Sequence, residues 1–244
     1  SKAAFEGSIP FTRSSFLVRQ IPRLWHAAAL IGCKGKGMSG SSQFGKLYTA
    51  VLVQKLYQAG LIRRVVDIGA GGGTYSELLR GHMPDCDWHA VEVWQPYIDE
   101  FNLTDRYDTV HQVDARLFDW DQVKGAIDLV FCGDILEHME KQEAEALVDR
   151  ILTHTRYLLV SIPIVHYPQD EINGNPYEVH VKDDWSHEEV VATFPDSQTA
   201  FLQGSIGVYM LSRQQAALAP LLLAHQFIAP LVEKNLNDPS VYWQ

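Results

Sequence analysis

Val65-Val66-Asp67-Ile68-Gly69-Ala70-Gly71-Gly72-Gly73 compresses a strand and a turn into nine residues. Val65, Val66 and Ile68 read as a short buried strand. Thr74 then opens a helical stretch over Tyr75–Arg80. Glycine between the two lets the chain turn sharply and lets a ligand approach the backbone closely. The exposed N–H groups at the start of the helix favour an anionic group. A dinucleotide-binding turn follows the same logic but wants G-x-G-x-x-G. Here position 74 is Thr, the glycines fall at 69, 71 and 73, and an acid, Asp67, stands two residues ahead.

Outward from this turn, strands and helices alternate. Further strands are expected at Trp88–Val93, Thr109–Val113, Ile127–Cys132 and Tyr157–Ile162. Helices fit at Gln43–Ala59, Gln95–Phe101 and Lys141–His154, the first with apolar residues at helical spacing and Gly60 as its stop. Such alternation predicts a parallel sheet with helices on both faces. After a helix near Ser186–Thr193, Thr199–Leu202 and Gly207–Ser212 lie close enough to form an antiparallel hairpin. The expected fold is α/β: a Rossmann-like, doubly wound, seven-stranded sheet with a helical N-terminal cover. Its divisions are a cover or lid over residues 1–42, a central domain over 43–213 and a helical tail over 214–244.

Composition narrows the function. Of 244 residues, 46% are hydrophobic and 20% charged, enough for a sizeable core, which excludes disorder as the main state. Lys and Arg number 20 against 30 Asp and Glu, a net charge of −10. Nucleic acid is therefore not an expected partner, because neutralising phosphates needs a basic face. Three cysteines without metal-ligand spacing argue against a disulfide framework and suit a reducing cytoplasm. The apolar run Ala216–Val232 is broken by Pro220, His225, Gln226 and Pro230, so no membrane span is expected. The chain begins with Ser rather than Met, and a piece of a longer protein is the expectation.

The glycine spacing resembles the first motif of the class I S-adenosylmethionine-dependent methyltransferases, and the resemblance extends over about residues 43–212. It implies S-adenosylmethionine as cofactor and S-adenosylhomocysteine as product. It implies that Asp67, Gly69, Ala70, Gly71 and Gly73 seat the methionine end. Glu92, beside Val93, would take both ribose hydroxyls, and Asp114, followed by Ala115, would lie near the adenine amino group. The run Gly133-Asp134-Ile135-Leu136-Glu137-His138-Met139 looks like the family's fourth motif, with Asp134 near cofactor or acceptor. Taken alone, Glu92 also reads as a solvated strand-end acid, Asp114 as a turn cap and Asp134 as an N-cap.

The acceptor side rests on the segment from Ser161 to Trp185, long and rich in turn formers. Tyr167, Tyr177, Glu178 and Trp185 are candidate substrate contacts, and His138, His166 and His180 candidate catalytic groups. Polar and aromatic residues crowded into a loop at this sheet edge look like an acceptor pocket. The competing readings are packing for Tyr177 and Trp185, pairing with a histidine for Glu178, a core position for His180 and loop fixation for His138. The segment resembles bacterial methyltransferases of polysaccharide and natural-product pathways. Despite 10 histidines, no H-E-x-x-H or comparable spacing occurs, and no metal is expected. The expected reaction is O-methylation of a small polar molecule or sugar. N-methylation and an inactive cofactor-binding subunit stand as alternatives, and a homodimer or a fused or partner domain stays open.

Overall fold

The computed structural model describes residues 42–236. The N-terminal cover over residues 1–42 lies outside the described residues save for Ser42, as does the end of the tail from 237. Seven strands form one sheet: β1 (Arg64–Ile68), β2 (Asp87–Glu92), β3 (Thr109–Gln112), β4 (Ile127–Gly133), β5 (Thr155–Pro163), β6 (Ser197–Gln203) and β7 (Ile206–Leu211). Their order is β3-β2-β1-β4-β5-β7-β6. The first five are parallel; β7 runs antiparallel to both β5 and β6. The order reverses between β1 and β4, and in such sheets ligands sit outside the carboxyl ends of the strands at that point.

The central strands have no polar face because both of their faces are covered. Val65, Leu129, Phe131 and Leu159 join the core on one side of the sheet. Val66, Val130, Cys132 and Val160 join the core on the other. The helices that cover these faces include α1 (Lys46–Gln58), α2 (Thr74–Leu79), α3 (Gln95–Glu100), α4 (Leu103–Arg106), α5 (Lys141–His154) and α6 (His187–Thr193). A capping box formed by Glu140 and Glu143 starts α5, and the Ser186 hydroxyl accepts from Glu189 N–H to start α6.

The tail forms α7 (Gln215–Leu236), which continues through Pro220 and Pro230. It docks on α1, with Leu221 fully buried and the Tyr48 hydroxyl 2.7 Å from His225 Nδ1. Prolines and polar residues do not take this stretch below the length and apolarity of a span. Gln215–Asn235 is long and apolar enough to cross a membrane by length and composition alone, with a mean hydropathy of 1.4 over an 18-residue window of which 28% is buried.

Candidate active site

Three positions in the turn after β1 have positive φ: Gly69 at 61°, Gly71 at 49° and Gly73 at 71°. A Cβ on Gly69 would stand 1.9 Å from Ile135 Cδ1, so the close approach of the two turns requires glycine there. Glu92, at the end of β2, fixes the turn. Its Oε2 accepts from Gly71 N–H at 2.9 Å and its Oε1 from Trp94 N–H at 2.8 Å. Each oxygen keeps a second lone pair. Burial pushes the Glu92 carboxyl up, against the pull of those two amides. Asp67 is also buried, and burial pushes it up to about 7 although the Tyr107 hydroxyl donates to its Oδ2 at 2.5 Å.

Beyond β4, Asp134 holds the left-handed region with φ 57°. Its carboxylate pairs at 3.5 Å with Lys46, which is itself 3% exposed. Burial alone would lower Lys46; Asp134 and Tyr75 hold it above its usual value. Lys46 also donates to the Tyr75 hydroxyl at 3.2 Å, and the Tyr75 ring stacks on Phe131 at 4.3 Å. Gly133 makes room for that ring, since a Cβ there would meet Tyr75 Oη at 2.3 Å.

The third wall comes from the segment after β5. Asn173 and Gly174 both take positive φ, turning the chain so that Asn175 is buried and accepts from Tyr177 N–H at 3.0 Å. Two backbone amides, of Val181 and Lys182, donate to the Glu137 carbonyl at 2.8 and 3.0 Å, so this segment is tied to the turn after β4. His138 lies between the two: Nδ1 is 3.1 Å from Val179 O and Nε2 is 3.1 Å from Asp134 O. His180 Nδ1 is 2.5 Å from Tyr167 O. Burial lowers both histidines from their usual value. The Glu137 carboxylate is 1% exposed, and neither oxygen has a hydrogen-bond partner. Burial, reinforced by Asp134, holds its carboxyl well above the usual range.

One cavity of about 340 Å³ joins these walls. Asp67, Gly69, Ala70, Gly71, Glu92, Val93, Asp134, His138, Tyr167, Tyr177, Glu178 and His180 all line it. Its lining holds five carboxylates (Asp67, Glu92, Asp134, Glu137 and Glu178) and, among the described residues, no lysine or arginine. Glu137, His138 and His180 offer ligand atoms within 4.8 Å of one another.

Five expected site residues lie elsewhere. Gly73 caps α2 rather than lining the cavity. Asp114 accepts from the Arg116 guanidinium at both oxygens and caps the short turn that contains Ala115. His166 is exposed, 3.6 Å from Asp183. Trp185 is 1% exposed in the core, with the ammoniums of Lys141 and Lys182 at 5.8 and 5.1 Å from its ring. His138, although on the wall, has both nitrogens facing carbonyls, which is the loop-fixing role rather than that of a free base. Sequence reasoning missed Lys46, Tyr75, Tyr97, Gln169 and Asn175, and gave Glu137 no role. Only Glu137 carried a signal, as an acid flanked by Leu136 and His138 at the end of a strand.

Residues 65–157 match the family described as a methyltransferase domain. No curated protein matches the chain. Among solved structures, the N-terminal domain of EvdMO1, crystallised with SAH and D-fucose, is 15% identical with a TM-score of 0.52. The match covers 81% of this chain and 97% of that one. A S-adenosylmethionine-dependent methyltransferase from Clostridium acetobutylicum ATCC 824 is 10% identical with a TM-score of 0.50, covering 80% and 98%. At these identities the likeness is one of fold.

Proposed function

We propose that the chain, whose residues 65–157 match a methyltransferase domain, is a class I S-adenosylmethionine-dependent methyltransferase that methylates a hydroxyl of a small polar or sugar-like acceptor. The observation that carries this reading is the single cavity running from the glycine turn and Glu92 to Glu137 and His180. The residues present fit the cofactor: left-handed glycines leave room at the backbone, Glu92 keeps spare lone pairs for two hydroxyls, and the acidic lining suits a cation. S-adenosylmethionine supplies a methyl group on a positively charged sulfur that departs as a neutral thioether.

The protein therefore has to align rather than protonate. Glu92 and Gly71 hold the ribose side. Tyr167, Tyr177 and Glu178 orient the acceptor by hydrogen bonds. His180, at the Glu137 edge of the cavity, would take the acceptor's O–H proton at Nε2. His180 is prepared for this edge: with Nδ1–H donated to the Tyr167 carbonyl, its Nε2 carries the lone pair. The reading includes a cytoplasmic setting, in keeping with the free thiols of Cys86 and Cys132.

N-methylation is the second reading, favoured by the excess of carboxylates, which attracts an amine. Calorimetry with S-adenosylhomocysteine, then labelled S-adenosylmethionine with a panel of sugars, phenols and amines, tests both. The EvdMO1 domain was crystallised with D-fucose, so sugars come first on that panel. Saturable binding with transfer to a hydroxyl compound is expected. Transfer to amines alone would select the second reading. Tight binding with no transfer to any member would point to an inactive cofactor-binding subunit.

A further inference from the structure

We infer that Glu137, His138 and His180 form a divalent-cation site at the acceptor end of the cavity. The site rests on geometry alone; its use in activating a hydroxyl rests on the methyl-transfer reading above.

Glu137 is the strongest argument. A carboxylate at 1% exposure with both oxygens unpartnered is costly to bury, and it lies on the wall of an open cavity. Lys46, the nearby buried cation, is paired with Asp134 instead. What Glu137 lacks is a positive partner arriving from the cavity.

The two histidines are arranged to complete that partner's shell. His180 gives Nδ1–H to the Tyr167 carbonyl at 2.5 Å and leaves Nε2 as a donor. Imidazoles that bind metals are held in this way, with the second nitrogen donating to a carbonyl or carboxylate. His138 faces a carbonyl oxygen from each nitrogen at 3.1 Å, yet a neutral imidazole has only one N–H to give. At the other nitrogen, lone pair meets lone pair. A cation that took up this lone pair after a small turn of the ring would remove the repulsion.

Three further features agree. The ligand atoms lie within 4.8 Å of one another, close enough to converge on one ion with small side-chain movements. The donors come from two segments already joined through Val181 N–H, Lys182 N–H and the Glu137 carbonyl, so the arrangement exists without the ion. No lysine or arginine among the described residues lines the cavity to compete for the carboxylates. Two imidazoles and a carboxylate suit a first-row ion such as Mn²⁺ or Zn²⁺ and leave coordination positions open toward the cavity. A cation held there would make a bound hydroxyl more acidic, its proton passing to water, and His180 would then serve as ligand in place of the base role given above.

The test uses the whole chain, stripped with a chelator and titrated with MnCl₂ or ZnCl₂ alone. Calorimetry follows both ions, and the electron paramagnetic resonance signal of free Mn²⁺ gives a second readout. One site per chain is expected for at least one ion. Glu137→Gln and His180→Gln should each weaken it tenfold or more, while His166→Ala, at an exposed histidine beside Asp183 and outside the cluster, leaves it unchanged. S-adenosylhomocysteine affinity within twofold of wild type reports that each variant is folded. No binding of either ion, or binding indifferent to both Glu137→Gln and His180→Gln, overturns the inference and leaves methyl transfer standing. Failure to bind S-adenosylhomocysteine sinks the methyl-transfer reading without touching the cation site.

Discussion

Two backbone amides, from separate turns, converge on the Glu92 carboxylate. Glu92→Ala leaves both half-buried amides without their acceptor, and an N–H stranded out of reach of water costs about 1–3 kcal/mol. We expect S-adenosylhomocysteine affinity to fall roughly tenfold or more by calorimetry; unchanged affinity would separate Glu92 from the cofactor. Gly133→Ala tests the opposite fault, overfilling. Its Cβ would lie 2.3–2.8 Å from three atoms of Tyr75, an aromatic already stacked on Phe131 and bonded to Lys46. Overpacking of this kind costs about 1–3 kcal/mol. Urea denaturation should show that loss, and an unaltered midpoint would mean that the Tyr75 ring has room to yield.

At the scale of the element, α7 is held by a few deeply buried contacts on α1. Leu221→Ala removes a fully buried side chain and should cost about 2–5 kcal/mol in unfolding free energy. A loss under about 0.5 kcal/mol would mean that the helix contributes little to the fold. Elements were the easiest features to read from the sequence. Strands such as β4 are apolar on both faces, Asp128 aside, because they are covered on both sides, and α5 and α6 begin at recognisable caps. The hairpin of β6 and β7 was legible from the short spacing between two apolar runs. Depth was not legible. Trp185 stands among turn formers and looked like a pocket wall, yet α5 and the lysines beside it enclose it. Asp114 has Arg116 two residues on, a pairing that local sequence permits but does not demand. Lys46 gave no sign at all, because its partner Asp134 lies 88 positions away.

For the whole molecule, the buried acids set the response to pH. Asp67 ionises near 3.8 when unfolded and near 7 in the fold, raised chiefly by burial. A carboxyl raised by folding contributes fully below its unfolded value and loses that contribution as pH climbs through the folded one. Its share of the stability therefore declines between about pH 4 and 7, by at most about 1.4 kcal/mol per pH unit. Asp67→Asn should remove that share, so the variant gains on the wild type in urea denaturation as pH goes from 5 to 7. A difference between the two proteins that does not change with pH would contradict the assignment.

The bonds from Val181 and Lys182 to the Glu137 carbonyl have a further consequence. They fasten a stretch without regular secondary structure to the turn beneath it, so these two amides should trade hydrogen for deuterium slowly, unlike those of an ordinary surface loop. A landing site clamped in advance asks little ordering of itself when a guest arrives, and it can reject a wrong shape by stiffness alone.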